Sequence, residues 1–126
     1  MARVLVVDDD ASVRRALSGV LTRAGFEVHT ADDGARAIEI AAALMPDLVV
    51  VDFNMPTNGL VVVRHFKATS GAAVFVAVLT GEDSDASRDA CLAAGADAVL
   101  AKPLSPSDLR RHLTVAAASL RMLAVA

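Results

Sequence analysis

The chain has 126 residues, 55% of them hydrophobic and 21% charged, which suits one packed domain and not a disordered segment. A net charge of −3, a pI near 5.5, four Phe and no Trp or Tyr argue against a nucleic-acid-binding surface. Cys91 is the only cysteine, which leaves no disulfide framework or thiolate metal cluster and points to a reducing, cytoplasmic setting.

Met1-Ala2-Arg3 leads straight into the first strand without the apolar segment of a signal peptide. No apolar run reaches the roughly 18–20 residues that span a membrane. Strand-length apolar runs alternate with longer stretches of helical period, the pattern of repeated βα units on a parallel sheet. Strands are expected near 3–7, 26–30, 47–51, 73–79 and 97–101. The first, Val4-Leu5-Val6-Val7, runs into Asp8 and Asp9, and Asp10 is placed to cap a helix from about Ala11 to Ala24. On that helix Val13, Leu17, Val20, Leu21 and Ala24 share one face, Arg14, Arg15 and Arg23 point elsewhere, and Gly25 is the terminator. The second strand, Phe26 to Thr30, is the most polar, as an edge strand would be. A helix after Gly34 should turn Ile38, Ala41, Ala42 and Met45 inward and stop before Pro46.

The third run, Leu48-Val49-Val50-Val51, stops at Asp52 and is followed by a helix from near Gly59 to Gly71. The fourth, Val74 to Leu79, stops at Thr80, with a helix from about Ser84 to Ala94 closed by Gly95. The fifth, Ala98 to Ala101, stops at Lys102 and Pro103. Ser105-Pro106-Ser107-Asp108 then opens the last helix with a capping serine, a proline at the first helical position and an acid three residues after the cap. Leu109, Leu113, Ala116, Ala117 and Leu120 form its buried stripe, with Arg110, Arg111 and Arg121 on the wet face. The whole chain, 1–126, reads as one domain.

Parallel α/β sheets place ligands at the carboxyl ends of their strands. If these runs lie side by side, Asp8, Asp9, Asp52, Thr80 and Lys102 converge. Three carboxylates together would repel one another unless a hard divalent cation sat among them, and Mg²⁺ suits a site of few carboxylates and several waters. Such an ion can draw a phosphoryl group toward a carboxylate, and carboxylates serve as covalent phosphoryl acceptors. Lys102 supplies a positive charge for a phosphoryl oxygen and Thr80 a hydroxyl donor. Taken singly, each has a plainer reading: Asp8 and Asp9 as helix-capping acids, Thr80 as a strand end, Lys102 as a solvated charge. The functional reading rests on the matched set.

The stretches Val4-Leu5-Val6-Val7-Asp8-Asp9-Asp10, Val51-Asp52-Phe53-Asn54-Met55-Pro56, Leu79-Thr80-Gly81, Ala94-Gly95-Ala96-Asp97 and Lys102-Pro103 resemble, in order and spacing, the receiver domain of bacterial two-component response regulators. The resemblance covers nearly all of the chain. It implies a five-stranded parallel sheet in order 2-1-3-4-5 with helices on both faces, of the flavodoxin-like type. It implies Asp52 as phosphoacceptor, Mg²⁺ on Asp8, Asp9, Asp52 and the backbone carbonyl of Asn54, a Thr80 that binds the phosphoryl group and switches rotamer, and Lys102 paired to it. A cis Lys102–Pro103 bond is expected on the same ground. The implied donor is a histidine kinase or histidine phosphotransfer protein, the implied target a protein effector, and the implied catalysis only self-phosphorylation and self-dephosphorylation.

Two positions depart from the family. Receivers usually carry an aromatic three residues before the lysine, where this chain has Val99; the stretch Thr57-Asn58-Gly59 is a residue shorter than usual, with Asn58 where an acid is common. Glu82 and Asn54 lie where an attacking water would approach, which makes them candidates for tuning dephosphorylation. A degenerate receiver acting only as an interaction module is one alternative. A haloacid-dehalogenase-like phosphatase is another, though those enzymes carry a second aspartate two residues past the nucleophile, where Asn54 stands, and a cap domain. A nucleotide-binding α/β domain would need a Gly-rich loop in place of the three aspartates. His29, His65 and His112 have no partner at ligand spacing, and Cys91 reads as a small packed hydrophobe. The apolar end from Leu120 to Ala126 suits a buried tail or a surface for a partner or a second copy of the chain.

Overall fold

The computed structural model describes residues 2–55, 59–81, 85–102 and 105–125, with side chains to Leu120. Five strands, β1 (Arg3–Val7), β2 (Glu27–Ala31), β3 (Leu48–Asp52), β4 (Phe75–Thr80) and β5 (Ala98–Ala101), alternate with five helices. These are α1 (Ala11–Arg23), α2 (Gly34–Leu44), α3 (Gly59–Ser70), α4 (Asp85–Ala93) and α5 (Pro106–Val125), with a short 3-10 turn at Gly71–Ala73 before β4. The strands are all parallel, in the order β2-β1-β3-β4-β5. The expected architecture is therefore present, with the polar second strand at one edge.

The sheet is buried on both faces, which is why β1, β3 and β4 are continuous apolar runs and not alternating ones. Residue parity sorts the core into two clusters. Val4, Val6, Leu48, Val50 and Leu79 pack with Leu17 and Leu21 of α1 and Leu109 and Leu113 of α5. Leu5, Val7, Val49, Val51, Val76, Val78 and Val99 pack with Ala37 and Ala41 of α2, Val62, Val63 and Phe66 of α3, and Cys91 of α4. Cys91 is fully buried, and that burial raises its thiol above the ordinary range, so it packs as expected.

The helix ends follow local chemistry. Asp10 Oδ1 accepts from the amides of Ser12 at 2.8 Å and Val13 at 3.4 Å, capping α1 as anticipated, and Gly25 adopts φ +98° just past its end. Replacing this cap, Asp10→Ala, is expected to lower the unfolding free energy by about 1 kcal/mol, with Asp10→Ser recovering most of it, as read from urea melts. Asp33 caps α2, and the Ser105 hydroxyl accepts from the Asp108 amide at 3.1 Å ahead of α5.

Two helical faces differ from expectation. Ala24 is exposed: α1 ends at Arg23, and Ala24 is its C-cap and not part of the packed face. On α2 the inward residues are Ala37, Ile40, Ala41 and Leu44, one step from the predicted Ile38, Ala41, Ala42 and Met45; Ala42 is exposed. Met45 is 75% exposed and left-handed at φ 52°, since the chain must break helix before Pro46. The Lys102–Pro103 bond, Thr57, Asn58, Glu82, Ser84 and the side chains beyond Leu120 lie outside the described residues.

At the amino ends of the strands, Lys67 of α3 reaches under the sheet. Its ammonium donates to the carbonyls of Val74 at 2.6 Å and Gly71 at 3.2 Å and pairs with the Asp97 carboxylate at 2.5 Å. Asp97 Oδ2 also accepts from the Val76 amide at 2.8 Å, while the Asp97 amide donates to the Val76 carbonyl at 2.9 Å. This pairing joins α3, β4 and the turn into β5.

Candidate functional site

The carboxyl ends of β1 and β3 bring Asp8, Asp9 and Asp52 together, with one carboxylate oxygen of each within 4.8 Å of the others. Asp8 and Asp52 are buried, at 2% and 4% exposure, whereas Asp9 faces solvent. Lys102, just past β5, places its ammonium 3.1 Å from Asp52 Oδ1 and 3.9 Å from Asp8 Oδ2. Its backbone amide donates to the Thr80 carbonyl at 2.8 Å, so the end of β5 is stitched to the end of β4. Thr80 is buried at the last position of β4, one register step beyond the Leu79 that pairs with Asp52. Asn54 donates its amide to Asp52 Oδ1 at 3.1 Å, and its side chain lies over Gly81. The structure thus gathers the predicted side chains at one end of the sheet. Val99 is buried on the opposite side of β5 from α5, among Val76, Val78, Cys91 and Ala96.

The electrostatics are unbalanced. Asp8 Oδ1 accepts from the Asp10 amide at 2.9 Å, but Asp8 Oδ2 is buried and among the described residues has no hydrogen-bond partner. Burial raises the Asp8 carboxyl above its ordinary range; the Asp10 amide opposes this, the Asp52 and Asp9 charges add to it, and Lys102 offsets part. One ammonium does not compensate three carboxylates. An orphaned buried oxygen in an all-oxygen cluster is what a hard cation such as Mg²⁺ satisfies, and a thiolate- or imidazole-seeking metal would find no ligand here.

Two residues at the site had no role in the sequence reading. Gly59 begins α3 directly behind Asp52: a Cβ there would lie 3.0 Å from the Asp52 carbonyl oxygen and 3.1 Å from the Phe53 Cα. A glycine between the site loop and a helix was the available signal. Arg14 does not simply point away; its Nη1 donates to the backbone carbonyl of Asp8 at 2.6 Å.

The profile of the response regulator receiver domain matches residues 4–114. The chain belongs to the response regulator receiver family. Response regulator MprA of Mycolicibacterium vanbaalenii is 44% identical over 108 residues, covering 85% of this chain and 46% of the relative. The chain spans about half the length of the curated relatives it matches. Among solved structures, chemotaxis protein CheY4 of Vibrio cholerae superposes with TM-score 0.86 at 36% identity, covering 92% of this chain and 98% of that one. A receiver domain protein from Clostridium thermocellum superposes with TM-score 0.89 at 26% identity, covering 98% and 99%. The acidic cluster of this receiver lies at the carboxyl ends of β1 and β3. Among the described residues, no helix is long and apolar enough to cross a membrane.

Proposed function

We propose that this receiver accepts a phosphoryl group on Asp52 from a phosphohistidine of a histidine kinase or phosphotransfer protein, and signals to or relays it to a protein partner. The observation that carries the reading is the orphaned, buried Asp8 Oδ2 beside Asp52 and Lys102. Asp8, Asp9 and Asp52, with the Asn54 carbonyl, would hold Mg²⁺. When bound, the ion supplies charge neutralisation for the phosphoryl oxygens in the in-line transfer.

The chain's own groups prepare the nucleophile. The Asn54 amide and Lys102 both bind Asp52 Oδ1, which fixes the carboxylate plane and leaves the second oxygen to attack phosphorus. The bond to the donor nitrogen breaks as the Asp52 oxygen–phosphorus bond forms, and the donor imidazole keeps the electron pair. Lys102 and the Thr80 hydroxyl then bind phosphoryl oxygens, where charge develops. Hydrolysis of the acyl phosphate restores Asp52, so catalysis is confined to the domain's own phosphorylation and dephosphorylation.

Intact-mass spectrometry after brief treatment with acetyl phosphate tests the reading. One phosphoryl adduct is expected with Mg²⁺, none without it, and none in Asp52→Asn. An adduct that persists in Asp52→Asn would place the acceptor elsewhere and overturn it.

A further inference from the structure

We infer that Arg14 is a positioning residue for the acidic cluster: by holding the Asp8 carbonyl it sets the peptide that aims the Asp9 carboxylate at the shared cation. This rests on the Mg²⁺ reading of the cluster given above.

Pairing along β1 ends at Val7, and beyond it the Asp8 amide still donates to the Ala31 carbonyl at 3.1 Å. The Asp8 carbonyl instead accepts from Arg14 Nη1 at 2.6 Å, a short, charge-assisted bond from a half-buried residue. Asp8 is thereby anchored on both sides of its Cα. Because the peptide unit is planar, fixing the carbonyl of Asp8 fixes the direction in which the chain enters Asp9.

The three carboxylates differ in what else holds them. Asp8 is locked by burial and the Asp10 amide, and Asp52 by the Asn54 amide and Lys102. Asp9 is exposed, and among the described residues no hydrogen bond or ion pair reaches its carboxylate. Its aim therefore depends on its backbone, and the side chain that sets that backbone comes from α1. The Asp10 cap holds the start of the same helix, so Arg14 projects from a fixed platform. Supporting groups of this kind typically change metal affinity by 10–100-fold when removed.

The test is a Mg²⁺ titration of the full chain by isothermal calorimetry, comparing wild type, Arg14→Met and Arg14→Lys, with circular dichroism melts of the metal-free proteins alongside. Arg14→Met is expected to bind Mg²⁺ about 10-fold more weakly, with Arg14→Lys between it and wild type. In acetyl phosphate reactions the Mg²⁺ concentration for half-maximal rate should rise by the same factor, while the rate at saturating Mg²⁺ stays at the wild-type level. A purely structural role would instead lower the melting midpoint and leave the affinity of the folded protein alone. Wild-type affinity in Arg14→Met overturns the inference, as does a lowered saturating rate at unchanged affinity. If Arg14→Met does not fold, Arg14→Gln, which is too short for the reach, is read in the same way. Failure of the underlying reading shows separately, as a wild-type chain that takes up no Mg²⁺.

Discussion

In metal-free buffer at pH 7, Asp8→Asn should be more stable than wild type, by roughly 1–2 kcal/mol. Asp8 is 2% exposed and among the described residues its Oδ2 has no hydrogen-bond partner, with the Lys102 ammonium 3.9 Å away, so the folded state carries a buried, poorly compensated charge that an amide would not. The pH dependence has a definite sign. Burial raises the folded carboxyl above its ordinary value of 3.8, so the folded state holds its proton to higher pH than the unfolded chain. The contribution of Asp8 to stability is thus fully present below 3.8 and is lost as pH rises through the raised folded value. The advantage of Asp8→Asn should accordingly be small in acid and complete at neutral pH. Mg²⁺ should reverse the ranking: at 100 times its dissociation constant a ligand adds about 2.7 kcal/mol to wild type, and the variant should gain little. Urea unfolding followed by circular dichroism, with EDTA and with Mg²⁺, measures both; the chain has no Trp or Tyr to report by fluorescence. A variant less stable than wild type in EDTA at pH 7 would show that Asp8 is already compensated.

Asp97→Ala should be costlier, though it lies at the far end of the sheet. The substitution removes the acceptor of the Val76 amide and leaves the Lys67 ammonium, at 16% side-chain exposure, with only the Gly71 and Val74 carbonyls. Removing one partner of a buried pair costs about 3–5 kcal/mol; because Asp97 is 34% exposed, about 2–3 kcal/mol is expected here, or roughly 10 °C in melting midpoint. Asp97→Asn keeps an oxygen for Val76 and should lose less. The double variant Lys67→Met with Asp97→Ala removes the stranded charge and should lie above the sum of the single effects. Additive losses would mean that the two side chains do not act together.

How far such features could be read in the sequence follows from how local they are. Strand ends, caps and the two-sided burial of the sheet are written in consecutive residues, and Asp8, Asp9, Asp52 and Lys102 meet where parallel topology requires. The inward face of α2 was misassigned by one position because Ala and Ile fill most of Gly34–Leu44, giving two nearly equivalent apolar stripes; packing on β1 and β2 selects one. Lys67 is distant in sequence from Asp97, and Arg14 binds a carbonyl, which no side-chain pattern marks. Asp97 stood inside a recognised motif, but its bonds to Val76 and Lys67 need the fold before they have meaning.

The division of the core into two clusters by the sheet has a consequence for how this chain can vary. The helix pair α1 and α5 and the helix trio α2 to α4 rest on different sets of strand side chains. An enlarged residue on one side presses first on its own layer. The surfaces that α1 and α5 show to the outside can therefore be rewritten without refitting those of α2 to α4. The ends of β1 and β3 are common ground for both layers, so a backbone shift at the acidic cluster is felt on both sides of the sheet.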